Sequence, residues 1–187
     1  MHFSIKKKYK NFLEDSEFSK KTNLKISKSL KQIVIGYRSY ISLNAIIYFG
    51  NHFGTNCFIG HNSLIREENK IGNNVKIGSY TEVAFNCIIK KKTKIHSHCF
   101  ICENSRIGEN VFIGPNVTFT NSKFPNQINS KKELNSPIIN DNVIIGAGSV
   151  IMPGIKIGRN SIIGAGSLVT KDVPANKIFY NIRSNSK

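Results

Sequence analysis

The stretch that decides the fold lies between residues 71 and 89 and reads Ile71-Gly72-Asn73-Asn74-Val75-Lys76-Ile77-Gly78-Ser79-Tyr80-Thr81-Glu82-Val83-Ala84-Phe85-Asn86-Cys87-Ile88-Ile89. An Ile or Val stands at every sixth position. A helix would space its apolar residues by three and four, and a half-buried strand would alternate them by two. A strict period of six therefore indicates a short extended segment followed by a fixed corner, repeated along the chain.

The same period covers most of the chain, with one interruption between Phe119 and Ile139. Four residues after most anchors comes a small or slim residue, so two side chains per repeat are expected to point inward. Glycine often follows the anchor directly, where a corner benefits from a residue without a Cβ. The anchors are Ile35, Ile41, Ile47, Phe53, Ile59, Ile65, Ile71, Ile77, Val83, Ile89, Ile95, Ile101, Ile107, Ile113, Phe119, Ile139, Ile145, Ile151, Ile157, Ile163 and Val169.

Three repeats make one triangular coil of about 18 residues, and successive coils stack as parallel strands roughly 4.8 Å apart. The anchors predict an all-β parallel β-helix of about seven coils, which buries a continuous apolar column in one elongated domain. This domain is predicted to span residues 33–174. A basic segment (1–32) precedes it, a tail (175–187) follows it, and a polar, irregular loop leaves the shaft at about 120–137.

The charge of the chain is strongly positive, with 27 Lys and Arg against 11 Asp and Glu and a formal net charge of +16. The lysines crowd two segments, from Lys6 to Lys31 and from Lys90 to Lys94, without the interleaved aromatic residues typical of single-strand binding, so a nucleic-acid partner is not expected. The N-terminus has no apolar stretch suited to a signal peptide, and no run approaches a membrane span. A cytoplasmic protein without membrane insertion is therefore expected.

The four cysteines fit the same pattern. Cys57, Cys87 and Cys99 occupy the small inward position of their repeats, and Cys102 stands in a corner position that usually holds glycine. They are predicted to be packed, reduced thiols rather than disulfide partners or metal ligands.

Three segments carry a family resemblance. Together with the sixfold repeat they resemble the left-handed β-helix (hexapeptide-repeat) acyltransferases, and the loop edge closely resembles N-acetyltransferases that act on nucleotide-linked amino sugars. The resemblance implies the left hand, a homotrimer with substrates in grooves between neighbours, acetyl-CoA as co-substrate, and a 3-amino sugar on UDP or dTDP as acceptor in surface-glycan biosynthesis. The segments are Val111-Phe112-Ile113-Gly114-Pro115-Asn116-Val117-Thr118-Phe119-Thr120-Asn121 followed by Lys123-Phe124-Pro125, Ile144 to Gly154, and Ile163 to Pro174.

The loop edge supplies the first candidate residue. By resemblance, Asn121 holds the sugar amine, since an amide oxygen accepts a hydrogen bond from an amine and leaves its lone pair aimed at the thioester. A purely structural role as a loop cap stays open. The residues Glu67, Phe85, Glu103 and Asn121 follow one another at intervals of three repeats, so they are expected in one outward row that contacts the acceptor or only decorates the surface.

The closing segments supply the candidates for acetyl-CoA. Backbone amides near Gly146, Ala147, Gly164 and Ala165 are expected along the pantetheine arm, because small residues let a ligand approach the main chain. The alternative is that these glycines only turn corners. By resemblance, Lys171 contacts a CoA phosphate. The family usually ends with a Gly-Asn-Pro-Ala-basic segment, and here Tyr180-Asn181-Ile182-Arg183 stands instead.

Histidines bear on the choice between amine and hydroxyl acceptors. A hydroxyl needs a base, and residues 115–140 contain no histidine, which favours an amine. His98 is the first choice for a base, and His61 and His96 are further candidates for substrate contact. A zinc site on these histidines is disfavoured because His96 and His98 are separated by a single residue, so no metal is expected. Sugar O-acetylation and a non-catalytic β-helix binding module remain the alternatives.

Overall fold

The computed structural model describes residues 32–126 and 134–181, in which every strand is two residues long. The strands are β1 (Val34–Ile35), β2 (Tyr40–Ile41), β3 (Ile46–Ile47), β4 (His52–Phe53), β5 (Phe58–Ile59), β6 (Leu64–Ile65), β7 (Lys70–Ile71), β8 (Lys76–Ile77), β9 (Glu82–Val83), β10 (Ile88–Ile89), β11 (Lys94–Ile95), β12 (Phe100–Ile101), β13 (Arg106–Ile107), β14 (Phe112–Ile113), β15 (Thr118–Phe119), β16 (Ile138–Ile139), β17 (Ile144–Ile145), β18 (Val150–Ile151), β19 (Lys156–Ile157), β20 (Ile162–Ile163), β21 (Leu168–Val169) and β22 (Ile178–Phe179).

Every third strand belongs to the same parallel sheet. The first sheet has the order β1-β4-β7-β10-β13-β16-β19, the second β2-β5-β8-β11-β14-β17-β20-β22, and the third β3-β6-β9-β12-β15-β18-β21. Along most of the shaft each residue pairs with the residue three repeats further on, as Ile77 pairs with Ile95. The predicted all-β solenoid is confirmed: it has about eight turns and is consistent with a left-handed β-helix.

Two places depart from this regular spacing of three repeats. Arg106 pairs with Ile138 because the predicted loop is inserted between them and lengthens that coil. Ile162 pairs with Ile178, so the last coil is shorter than the others. This strand lies inside the segment assigned to a C-terminal tail, and the shaft therefore continues past residue 174. The basic segment 1–32 lies outside the described residues except for its last residue.

The core is the column of anchors that the period predicts. From Ile47 to Val169 every anchor is buried, and the small residues of the second inward row are buried with them. Two of the inward positions hold asparagine, and both side chains are hydrogen-bonded. Asn51 donates to the carbonyls of Tyr48 (2.7 Å) and Arg66 (2.6 Å), and Asn69 accepts from the amide of Cys87 (2.6 Å). Buried polar groups with hydrogen-bond partners are compatible with the core.

The corners favour glycine and asparagine for two different reasons. A Cβ on Gly78 would stand 2.5 Å from the amide nitrogen of Ser97 in the next coil, so this glycine serves the close approach of two backbones. The left-handed conformation falls two residues later, on residues such as Tyr80 (φ 57°) and, more often, asparagine. Asparagine tolerates this region better than other residues with a Cβ.

All four cysteines are buried and unpaired, as predicted. Burial raises the pKa of the Cys87 thiol to about 12 and those of Cys99 and Cys102 to about 11. The thiolate is the reactive form, so these thiols are inert near neutral pH.

Residues 32–126 and 134–181 contain no helix that is long and apolar enough to cross a bilayer.

The close approach of the coils makes Gly78 critical for stability. We expect Gly78→Ala to lower the free energy of unfolding in urea by about 2 kcal/mol, because the new methyl group forces two coils apart. The matched control is Gly148→Asn, since Gly148 has a φ of 67° and open space around its Cβ position. Equal losses in the two variants would contradict this explanation of the glycine pattern.

Candidate active site

The three corners of the shaft hold the candidate residues. The first corner, between the first and second sheets, contains Lys91 and Glu109. The second corner, between the second and third sheets, contains the residues that follow β5, β8, β11, β14, β17 and β20. The third corner, between the third and first sheets, contains the residues that follow β6, β9, β12, β15, β18 and β21, including the base of the loop.

The predicted row of Glu67, Phe85, Glu103 and Asn121 lies at the third corner. The amide of Asn86 donates to the carbonyl of Glu67 (3.0 Å), and the amide of Asn104 donates to that of Phe85 (2.9 Å). Successive members of the row therefore lie one coil apart, as the spacing predicts. Phe85 is 39% exposed, whereas the side chain of Glu67 is mostly buried and contacts Arg66.

Asn121 and Glu103 are joined by a direct hydrogen bond. Nδ2 of Asn121 donates to Oε2 of Glu103 at 2.7 Å. A carboxylate only accepts hydrogen bonds, so the NH₂ group of Asn121 must face Glu103. The carbonyl oxygen Oδ1 is thereby left to accept a hydrogen bond from another group.

The base of the loop is held by its second limb. The amide of Asn135 donates to the carbonyl of Asn121 (2.8 Å), and the amide of Gly154 donates to the carbonyl of Asn135 (2.7 Å). The hydroxyl of Ser136 donates to the carbonyl of Glu103. The described ends of the loop thus fix the backbone of both Asn121 and Glu103.

Arg106 braces the same corner from the first sheet. Its Nη1 donates to the carbonyls of Asn86 (2.7 Å) and Asn104 (2.9 Å), which belong to the turns that carry Phe85 and Glu103. The sixfold period did not single out Arg106, because its outward position in β13 is one where any polar residue is expected.

All three candidate histidines belong to the second corner, with His61 two coils away from His96 and His98. The rings of Tyr80 and His98 stack with centroids 5.0 Å apart and planes 6° from parallel, and His96 contacts the ring of Phe112 at 4.9 Å. The strand β12 separates His98 from the corner of Asn121, so one chain does not bring these two residues together. The reason is that their separation in sequence exceeds one coil by nearly one repeat.

The candidates for acetyl-CoA divide between two corners. The second corner, in coils C-terminal to the histidines, contains Gly146, Ala147, Gly164 and Ala165. Lys171 lies at the third corner, in a coil C-terminal to Asn121. Within one chain, Lys171 is therefore not beside the other four.

The C-terminal part of the second corner lacks a side-chain cap on its backbone amide. In a coil nearer the N-terminus, the first backbone amide of the second corner is capped by a side chain of the next coil. There the amide of His61 donates to the hydroxyl of Ser79 (3.1 Å). The residue above Ala147 is Ala165, which has no polar side chain to do this. A Cβ on Gly148 or Gly166 would meet nothing within 4 Å. An Ala147 amide without a side-chain cap and open space beside Gly148 and Gly166 fit the narrow pantetheine arm.

Metal-ligating side chains do not cluster at these corners. Residues 32–126 and 134–181 contain no group of three or more His, Cys, Asp or Glu that could hold a metal ion.

The chain matches the family described as "Bacterial transferase hexapeptide (six repeats)" over residues 86–121 and 136–171. It is 39% identical over 71 residues to galactoside O-acetyltransferase of Lactococcus lactis subsp. lactis, covering 36% of this chain and 34% of that one. It is 53% identical over 38 residues to 2,3,4,5-tetrahydropyridine-2,6-dicarboxylate N-acetyltransferase of Clostridium perfringens, covering 20% and 16%. The chain thus spans about a third or less of these two relatives.

Structural similarity covers more of this chain than the sequence matches do. The structure of the polysialic acid O-acetyltransferase OatWY matches with a TM-score of 0.63 and 17% identity, covering 88% of this chain and 93% of that one. At this identity the likeness shows the fold. The β-solenoid and the matched repeats on both sides of the loop are similar to those of the hexapeptide-repeat transferases and support that family for this chain.

Proposed function

We propose that the protein is a cytoplasmic, acetyl-CoA-dependent N-acetyltransferase that acylates the amine of a nucleotide-linked amino sugar, a 3-amino sugar on UDP or dTDP. The observation that carries this proposal is the hydrogen bond between Asn121 and Glu103. It orients a neutral acceptor, Oδ1 of Asn121, at the base of the loop. Relatives named as O-acetyltransferases and N-acetyltransferases both support acyl transfer.

The oriented amide suits an amine better than a hydroxyl. A neutral amine is already nucleophilic, and it gains from an acceptor that holds one N–H and aims the lone pair. A hydroxyl must lose its proton as it reacts and needs a base of matched pKa. Oδ1 of an amide cannot take that proton, because an amide oxygen is a very weak base.

The reaction then requires orientation and charge stabilisation from the chain. Acetyl-CoA supplies the acetyl thioester, whose thiolate leaving group has a pKa near 8.5 and collects the proton that the amine loses. As the amine nitrogen bonds to the acetyl carbon, negative charge develops on the carbonyl oxygen. The uncapped amide of Ala147 is a donor suited to an oxyanion of this kind.

The two parts of the site lie at different corners of one chain, which supports a homotrimer. Asn121 and Glu103 occupy the third corner, and the uncapped amides occupy the second. A groove between neighbouring copies would bring a third corner against a second corner. The acceptor side would then come from one subunit and the thioester side from another.

Sugar O-acetylation is the second candidate, and two groups could supply its base. His98 lies at the second corner, which the same groove would bring against the third corner of a neighbouring copy. The Glu103 carboxylate lies beside Asn121 and could serve as the base that a hydroxyl requires. A non-catalytic binding module is the third reading and predicts that the protein does not bind acetyl-CoA.

Paired substitutions of Glu103 separate these readings. If Glu103 positions Asn121, Glu103→Gln should keep kcat/KM within about threefold, since the Gln side-chain carbonyl still accepts from Nδ2. Glu103→Ala and Asn121→Ala should each lower kcat/KM by about tenfold or more, the value of one oriented hydrogen bond. The assay is thiol release from acetyl-CoA with a panel of UDP- and dTDP-amino sugars.

Two results of this assay would count against the proposal. A Glu103→Gln variant as inactive as Glu103→Ala would point to a carboxylate base. An Asn121→Ala variant within threefold of the parent protein would remove Asn121 from the site.

Acetyl-CoA binding is tested by capping the free amide. Ala165→Ser places a hydroxyl above Ala147, as Ser79 lies above His61, and should weaken acetyl-CoA binding about tenfold by occupying the donor. The matched control is Ala175→Ser, the same change above Arg159 at the first corner. The readout is the rise in Tm with millimolar acetyl-CoA.

The control decides how the thermal shift is interpreted. A rise that is reduced in Ala165→Ser and kept in Ala175→Ser supports the second corner as the acetyl-CoA site. Absence of any rise in the parent protein would favour the binding module.

A further inference from the structure

A dense basic surface surrounds the first corner at the middle of the shaft. Six exposed lysines lie within two neighbouring coils, and this set is called the lysine corner: Lys70, Lys76, Lys90, Lys91, Lys92 and Lys94. None of them belongs to the proposed acetylation site, which uses the other two corners.

The lysines face one another at short range. Lys76 and Lys94 are direct partners in the register of β8 and β11, so their backbones lie about 4.8 Å apart. Like charges on directly paired positions of neighbouring strands are unfavourable. An ion pair joins Lys91 to Glu109 at 3.2 Å, and the other five lysines form no ion pair with a carboxylate of the described residues.

Two open grooves lie against this corner. One, of about 370 Å³, is lined by Lys70, Asn73, Lys90, Lys91 and Glu109 among others. The other, of about 390 Å³, is lined by Lys91, Lys92, Glu109, Asn110, Asp141 and Asn142. Both share Lys91 and Glu109. Lysines outnumber carboxylates three to one in the first groove, whereas the second holds two of each, so the first groove and the lysines beside it carry the positive charge. Lysine ammonium groups and asparagine amides are donors for carboxylate, phosphate or sulfate groups.

We propose that the lysine corner binds a flexible acidic polysaccharide. The lysines stand on two faces of a triangular shaft, with Lys70 on the first sheet and Lys76 and Lys94 on the second. These two faces point in different directions, so a flat anionic membrane meets only one of them at a time. A flexible chain bends around the corner and contacts both.

The rings nearby do not form a platform for nucleobases. Neither groove is lined by an aromatic side chain. The ring of Phe58 is already stacked on Tyr40 (5.5 Å, 9°), and the ring of Phe112 already contacts His96. Single-stranded nucleic acid relies on free aromatic faces for stacking, whereas an acidic sugar polymer does not.

Binding is tested with a fluorescent heparin octasaccharide as the acidic polysaccharide, followed by anisotropy at low salt. The variant Lys70→Ala/Lys90→Ala/Lys92→Ala should weaken binding about tenfold or more, because exposed charge pairs dominate at low salt. The control Lys156→Ala/Arg159→Ala/Lys177→Ala removes the same charge from the same side of the shaft several coils away, and should weaken binding less than threefold. All six side chains are exposed, and a thermal melt checks folding.

The same proteins are compared with a labelled polyuridylate and with vesicles containing phosphatidylglycerol. We expect the lysine-corner substitutions to weaken heparin binding more than they weaken the binding of polyuridylate or of vesicles. Equal weakening in both triple variants, or no heparin binding by the parent protein, would overturn the site. Tighter binding of polyuridylate or vesicles, lost selectively in the lysine-corner variant, would overturn the class of partner.

Discussion

The contact on which this structure depends is the close stacking of one coil on the next, three repeats further along the chain. It brings backbones so near that a methyl group on Gly78 would lie 2.5 Å from the amide nitrogen of Ser97. In return, anchors such as Ile77 and Ile95 pair directly and bury one continuous apolar column. Parallel strands of only two residues persist because most of them are paired on both sides and covered on their inner face.

The same stacking determines which side chains meet on the surface of the shaft. Residues one coil apart form outward rows, so a carboxylate in one coil can meet an amide in the next, as Glu103 meets Asn121. The inserted loop breaks the repeat at the end of such a row, and its second limb ties back to Asn121 through Asn135. A regular shaft thereby obtains one irregular, hydrogen-bonded position suited to hold a reacting group.

Much of this follows from sequence because the period is strict. The inward anchors, the buried cysteines, the position of the loop and the row from Glu67 to Asn121 all depend on counting in sixes. What counting does not supply is side-chain geometry: the hydrogen bond of Asn121 to Glu103 depends on rotamers, and the brace from Arg106 depends on the reach of a long side chain. Counting also gives the corner of His98, since its separation from Asn121 is not a whole number of coils and it therefore lies at another corner of the same chain. The role of glycine is also not evident from sequence, because a glycine after an anchor looks like a turn residue. The positive φ falls two residues later, and the glycine instead allows two coils to pack closely.

In the proposed mechanism, the oriented amide of Asn121 selects an amine over a hydroxyl. Nucleotide-linked amino sugars carry both groups on one ring, so a single incubation with acetyl-CoA places them in direct competition. Mass spectrometry and NMR of the product then identify the acetylated atom. We expect an amide that resists mild base, with no ester on the same molecule. An ester product, cleaved by mild base and restoring the free amino sugar, would contradict it.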